Sequence, residues 1–340
     1  PNLEDGDIDA DGVPDEHDTF PNNPDAAYDY DLDGIADPND TDRDGDGVNN
    51  DGDYYPNDPA RHEAPVLTIT SPLNGAVFEG GSFVVTGTLD APLNTGVTVN
   101  GVVAHRGGVP YGNEFAARVP LAPGANEINV TATLLSGKQV TATLTVTSNS
   151  ESQFGVYASP NNGIAPTTAN ITVVNINNLT IQQIELDFDG DGGVDQIVDS
   201  NFEAAIPYEY AESGIYFPRI TILDSDDVRH TETLVIGVQT KEQIDNLLKD
   251  LWNDMNSALM GKNHSLAVEH LTANSGYSEI FYLLLPHMND IIPNYTAIVP
   301  VDIALTLGEY AVGEQIDGID RVFFIQLLQD IFGVWRVEGM

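Results

Sequence analysis

Apolar and polar residues alternate along much of the middle of this chain. Between residues 65 and 148 the runs "VLTIT", "SFVVTGTL", "GVTVNGVV", "NEINVTATLL" and "QVTATLTVT" are separated by Pro, Gly and Asn turns. Successive side chains of a strand point to opposite faces, so each run has one face to bury. Short strands at this spacing predict an antiparallel β-sandwich over 64–148. The pattern returns over 152–238, closing on "TLVIGV", and predicts a second sandwich there. From Lys241 the period lengthens to that of a helix, with Ile244, Leu247, Leu248, Leu251, Met255 and Leu259 on one face and Trp252 beside it. Helices are also expected at 264–272 and 277–292, with Pro286 breaking or kinking the last. The runs "TAIVPVDIALTL", "EYAVGEQ", "RVFFIQLLQ" and "VWRVEG" then read as strands. Helices followed by strands predict an α+β domain over 241–340. The expected fold class is multi-domain and mainly β.

Residues 1–60 show neither period, and their composition explains why. The formal net charge is −41 over 340 residues; the first 60 residues hold 20 acidic and 1 basic side chain, leaving 33 and 11 for the rest. Such a charge repels nucleic acids and anionic membranes and attracts multivalent cations. No run approaches the ~18 apolar residues of a membrane span, so no insertion is expected. Without cysteine, neither disulfides nor thiolate metal sites are available. The first residue is Pro1, which predicts a processed or mature fragment. At roughly 100–200 residues per domain the length fits two to four domains. Short linkers such as "NDPARHEAP" and "TSNSESQ" predict an elongated chain.

The acidic segment is ordered by spacing instead. Asp7, Asp9, Asp11, Gly12, Asp15 and Asp18 fall at positions 1, 3, 5, 6, 9 and 12 of a loop. Asp29, Asp31, Asp33, Gly34, Asp37 and Asp40 repeat it, and Asp42, Asp44, Asp46, Gly47, Asn50 and Asp53 repeat it again. Oxygen ligands at 1, 3, 5, 9 and 12, a backbone carbonyl at 7 and a glycine at 6 wrap a hard cation. Position 7 is Val13, Ile35 or Val48, whose carbonyl can ligate while the side chain packs inward. A flexible loop rich in carboxylates suits calcium better than the strict octahedron of magnesium, and three or more ions are expected. A fourth, incomplete copy is Asp187, Asp189, Asp191, Gly192 and Asp195, with Val198 at position 12 and Asp199 next to it. Position 12 is never Glu and no amphipathic helices flank the loops, which excludes an EF-hand. With so little apolar area the metal-free segment should be extended and mobile.

The tandem D-x-D-x-D-G-x-x-D units and their "DTFPNNP" and "DYYPNDP" tails resemble thrombospondin type 3 repeats over 5–59. Animal members of that family add cysteines, so the resemblance implies calcium wrapping without disulfide bracing. Residues 65–148 resemble bacterial immunoglobulin-like domains, which serve as spacers. Tyr208, Tyr210, Gly214 and Tyr216 resemble the aromatic turn of a PKD domain over 152–238. The W-x-x-M-x-x-A-L helix start and the "VFFIQLLQDIFGVWRVEG" ending resemble the nuclear-transport-factor-2-like cone fold over 241–340. Some members of that family are enzymes, which makes His287, Asp290 and Tyr295 the residues to examine, although no pairing is visible in their spacing. His264, His270 and His287 show no metal spacing, and Trp252 and Trp335 read as core aromatics. N-x-S/T sequons stand at Asn129, Asn170, Asn178, Asn263 and Asn294.

No H-E-x-x-H, G-x-S-x-G or phosphate-cradling glycine loop is present. The expectation is therefore a non-catalytic, extracellular or cell-surface, calcium-stiffened structural protein. Extracellular calcium modules bind at ~10⁻⁴ to 10⁻³ M, so such loops fill outside cells. An acidic end that would fray alone should pack against a neighbour, as in a filament or lattice of identical subunits, with another surface protein or a glycan as other partners. The alternative is a spacer and carbohydrate-binding region of a secreted polysaccharide-active or peptidase enzyme.

Overall fold

The computed structural model describes residues 6–15, 18–108, 112–273 and 291–339. Alternation along the middle of the chain builds multi-domain, mainly β architecture. Strands Val66–Ser71, Ser82–Asp90, Glu114–Pro120 and His105–Gly107 form one sheet in that spatial order. Val77–Phe78, Gln139–Ser148, Gly124–Thr133, Gly96–Val99 and Val102–Val103 form the other. Along Ser82–Asp90 every second side chain is buried, as the pattern requires. Phe83, Val85 and Phe115 from the first sheet meet Val99, Ile128 and Val146 from the second in one core.

The next unit is built likewise. Phe154–Ser159, Thr167–Asn175 and Ile206–Tyr210 form one sheet; Gln196–Val198, Ile181–Asp187, Arg219–Asp224 and Arg229–Thr233 form another. Between them lie Val156, Ile171, Ile184, Leu186, Ile220 and Ile222. A smaller third sheet pairs Asn162–Ile164 in parallel with Ile236–Gln239.

In the C-terminal part, helix α1 (Lys241–Met260) starts at a capping box. The Thr240 hydroxyl accepts from the Gln243 amide at 3.1 Å, and the Gln243 side chain accepts from the Thr240 amide at 2.8 Å. A short helix α2 (His264–Glu269) follows, capped by Asn263. Strands Tyr295–Ile303, Leu307–Ile316, Ile319–Gln329 and Trp335–Gly339 then form an antiparallel meander. Ile244, Leu248, Leu251, Trp252, Met255 and Leu259 of α1 are buried in one cluster with Tyr310, Val312, Ile325 and Leu327 of the sheet. Leu247 is only half-buried. Trp335 is a core residue, as is Trp252. The helix expected over 277–292 lies outside the described residues up to 290.

The units are not strung out in sequence order. Val13, Ala27 and Tyr28 of the aspartate repeats sit in the same apolar cluster as α1, and the Tyr28 ring stacks on His264 at 6.2 Å. Asn57 Nδ2 donates to Glu269 Oε1 at 2.5 Å, and Asn263 Nδ2 donates to the Asn57 carbonyl at 2.7 Å. The turn at 134–138 of the first sandwich also touches the repeats, through Ser136 Oγ on the Tyr54 carbonyl at 2.9 Å and Lys138 Nζ on the Asn50 carbonyl at 2.7 Å. Asn94 of that sandwich exchanges two hydrogen bonds with the Trp335 backbone. Arg118 Nη2 meets Glu232 at 2.9 Å and joins the two sandwiches. The acidic repeats are thus packed against other units of the same chain. Tails and linkers that look like spacers are contact surfaces, and the elongated arrangement is corrected to an interlocked one.

Candidate metal centre

All four aspartate loops close in the same way. The amide at position 9 donates to the carbonyl preceding position 1: Asp15 to Gly6, Asp37 to Tyr28, Asn50 to Thr41 and Asp195 to Leu186, at 2.6 to 3.0 Å. Position 9 returns a side-chain oxygen to the amide at position 2, seen in Asp15 to Ile8, Asp37 to Tyr30, Asn50 to Arg43 and Asp195 to Phe188. Position 1 accepts from the glycine amide at position 6: Gly12 to Asp7, Gly34 to Asp29, Gly47 to Asp42 and Gly192 to Asp187. Those glycines have φ of +99°, +94°, +94° and +96°. A Cβ on Gly34, Gly47 or Gly192 would touch nothing within 4 Å, so dihedral angle and not space demands glycine there.

This scaffold converges the carboxylates. One oxygen from each of Asp7, Asp9 and Asp11 lies within 4.8 Å of the others, and the same holds for Asp29, Asp31 and Asp33, for Asp42, Asp44 and Asp46, and for Asp187, Asp189 and Asp195. Asp191 is exposed and accepts from the Gly193 amide. Asp33 does the same for Ile35, and Asp46 for Val48. Asp46 also meets His62 Nδ1 at 2.9 Å. Of the position-7 side chains, Val13 is fully buried and Val48 half-buried, but Ile35 is 46% exposed, so the inward packing expected of all three does not hold for the second loop.

Buried oxygens without partners decide the fit to a cation. At position 12, Asp18, Asp40 and Asp53 are each 8% exposed or less. Each gives Oδ1 to the amide two residues on, of Phe20, Asp42 and Tyr55, and each leaves a buried Oδ2 with no hydrogen bond. Asp9 Oδ2, Asp29 Oδ1, Asp42 Oδ1 and Asp44 Oδ2 are equally unmatched. A buried carboxylate oxygen without a donor is costly, and several around one point are more so. Burial, with neighbouring carboxylates adding to it, pushes Asp18 and Asp44 up to about 6; burial also raises Asp37 and Asp53. Donor set, glycine turn and unmatched oxygens all suit a hard divalent cation. The fourth loop fits less completely: Val198 lies in a strand, Asp199 is exposed, and none of its oxygens is both buried and unmatched. It is braced from below, where Tyr210 Oη donates to the Phe188 carbonyl at 3.0 Å and the Phe188 and Tyr208 rings stack at 4.2 Å.

Residues 65–150 match the family described as glucodextranase, domain B. The sandwich they form is immunoglobulin-like, and the match covers this unit alone. No curated protein matches the chain. Among solved structures, the fibronectin(III)-like modules of Clostridium thermocellum CbhA are 19% identical, over 52% of this chain and 96% of that one, with a TM-score of 0.21. SGBP-B of the Bacteroides ovatus mixed-linkage glucan utilization locus, solved with a heptasaccharide, is 17% identical over 52% of this chain, with a TM-score of 0.20. The aligned part spans 48% of SGBP-B.

Of the C-terminal residues singled out as catalytic candidates, His287 and Asp290 lie outside the described residues. Tyr295 is a half-buried ring beside Trp252 and Phe323, and burial lifts its hydroxyl to about 12. His270 is buried, with Nδ1 donating to the Leu266 carbonyl at 2.9 Å, and desolvation lowers it to about 4. The sequon at Asn263 is a buried cap whose amide is already engaged, so a glycan does not fit there. Sequence spacing missed the docking residues Asn57, Glu269 and Asn94, which belong to no repeated pattern. Among the described residues no helix is long and apolar enough to cross a membrane.

Proposed function

We propose that residues 6–53 bind at least three calcium ions and that the chain is a non-catalytic, extracellular structural region held in shape by them. The observation that carries this reading is the unmatched, buried position-12 oxygen repeated in Asp18, Asp40 and Asp53. The thrombospondin-type-3-like spacing of the loops, the PKD-like aromatic turn and the cone-like C-terminal unit belong to the same reading, as does weaker binding at the fourth loop. Calcium outside cells, at millimolar level, would fill sites of this class. The ions would then fix the repeats against α1 and the first sandwich and set the angle between units, which is the work of a spacer or of a subunit in a surface assembly.

Calorimetric titration of the chelated chain with calcium tests it. Uptake of three or more ions in the range ~10⁻⁴ to 10⁻³ M is expected. Fewer than one ion per chain at millimolar calcium refutes it.

The match of residues 65–150 to glucodextranase, domain B, favours a second reading, in which the chain is an accessory region of a secreted carbohydrate-active protein. Affinity electrophoresis in gels containing α- or β-glucans separates the two. Retardation that is lost on removal of residues 65–150 supports the accessory reading, and unchanged mobility in every glucan opposes it.

A further inference from the structure

The two sandwiches meet at a cleft of about 430 Å³, a volume within the usual range for a small-molecule site. Arg118 lines it from the first sandwich, Tyr157 and Asn161 from the second. Alternation puts Gly155 and Tyr157 on the outer face of the strand Phe154–Ser159, opposite the buried Val156. The Tyr157 ring does not stand out from that strand but lies back along it over Gly155, where an added Cβ would come within 2.8 Å of Cε2 and 2.9 Å of Oη. One ring face therefore rests on the backbone and the other is open, in a residue that is 57% exposed.

Arg118 reaches the same strand. Its Nη1 donates to the Val156 carbonyl at 2.6 Å, one residue from Tyr157, its Nε to Ser82 Oγ at 3.1 Å and its Nη2 to Glu232 Oε2 at 2.9 Å. A guanidinium carries five N–H groups, so two remain, on a side chain that keeps 22% of its surface exposed. Asn161 is exposed and is engaged through its carbonyl, by the Gly237 amide, which leaves its side-chain amide free to donate and accept. Glu232 is held in place by the Ser82 and Ser152 hydroxyls at 2.7 and 2.9 Å and cancels the Arg118 charge.

An open aromatic face beside directed donors, with no net charge, defines a flat, neutral ligand that is apolar on its faces and rich in hydroxyls at its edge. The net charge of −41 on the chain opposes anions further. We propose that this cleft binds a neutral pyranose ring of a β-linked glucan. Equatorial hydroxyls leave the faces of such a ring lined with C–H groups, which meet the negative face of Tyr157. The edge hydroxyls accept from Arg118 and exchange hydrogen bonds with Asn161. The site deepens the accessory reading and rests on it, and is independent of calcium in the acidic loops.

The test is calorimetric titration of the full chain, in excess calcium, with cellotriose. Maltotriose, of the same composition but with axial linkages that curve the chain away from a flat platform, is the control. Saturable one-site binding of cellotriose with a dissociation constant on the order of 1 mM or tighter is expected, with maltotriose weaker by about threefold or more. Tyr157→Ala, at an exposed position that leaves folding intact, should weaken cellotriose by about tenfold, and Asn161→Ala by about threefold or more. Absence of saturable cellotriose binding, equal affinity for maltotriose, or an affinity unaltered in Tyr157→Ala overturns the proposal. Glucan gels separate its failure from that of the accessory reading. Retardation that is lost on removal of residues 65–150 but kept in Tyr157→Ala leaves the accessory reading standing and overturns this site, whereas unchanged mobility of the parent chain in every glucan overturns both.

Discussion

At the scale of single residues, the cost of the acidic segment is concentrated in a few carboxylates. Asp44 is 5% exposed, has an unmatched oxygen and sits among Asp42, Asp46 and Asp53. Removing its charge should therefore act with opposite sign in two conditions. With chelator present, Asp44→Asn should raise the melting temperature, since a buried charge among like charges is lost. With calcium present it should lower stability by about 1–3 kcal/mol, since a ligand is lost. Paired thermal melts read both signs, and a variant that shifts the same way in each would show that the carboxylate does not face a cation. Glu269 carries a different signature. Burial pushes its carboxyl up to about 7 from 4.5, against the opposing effects of Asn57 and Arg336. The folded state therefore holds this proton more tightly than the unfolded chain. The stability it contributes is complete below pH 4.5 and is lost as pH rises through about 7. Glu269→Gln, which keeps an oxygen for Asn57, should remove on the order of 3 kcal/mol of that pH dependence. Denaturation with urea at several pH values measures the slope, and an unchanged slope would place the dependence elsewhere.

At the scale of elements, legibility followed the period of burial. Strands such as Ser82–Asp90 and Gly124–Thr133 bury one face against a sheet, so alternation alone located them. Most of the buried face of α1 was read from spacing: Leu247, at its edge, is only half-buried against the cluster, and the buried Asn256 and Ala258 escaped the apolar pattern because one is polar and the other small. The aspartate loops were legible for another reason. They are closed by short-range hydrogen bonds whose geometry needs one residue type at each position, and the +94° to +99° φ of Gly12, Gly34 and Gly47 is written directly as glycine. What spacing could not reveal is which unit folds onto which. Asn57 and Glu269 are 212 positions apart, and nothing periodic links them. Helix α1 depends on a local signal that was present in the sequence, Thr240 with Gln243. Thr240→Ala should cost about 1 kcal/mol, since the Gln243 amide at the helix start loses its acceptor. A chemical-denaturation midpoint reads this, and no change would mean that α1 is held by its packed face alone.

At the scale of the whole molecule, the aspartate repeats and the C-terminal unit share one apolar cluster, in which Val13, Ala27 and Tyr28 lie with the buried face of α1. An ion that binds only the folded loops stabilises them by mass action, at about 2.7 kcal/mol per site when present at a hundredfold excess over its dissociation constant. If the loops and α1 unfold together, that stabilisation must reach α1, although no loop carboxylate lies on it. Amide exchange along Leu248–Met255 should then slow by up to about a hundredfold on adding calcium. The coupling has a physical route that can be cut. In a Val13→Ala, Tyr28→Ala chain the second and third loops keep every carboxylate, so calcium uptake there should persist while its effect on α1 shrinks. Exchange in α1 that ignores calcium in the parent chain would mean that repeats and helix merely touch. Exchange that responds equally in parent and variant would mean that the signal travels through Asn57, Asn263 and Glu269 instead, a route that Asn263→Ala then tests by breaking the hydrogen bond to the Asn57 carbonyl.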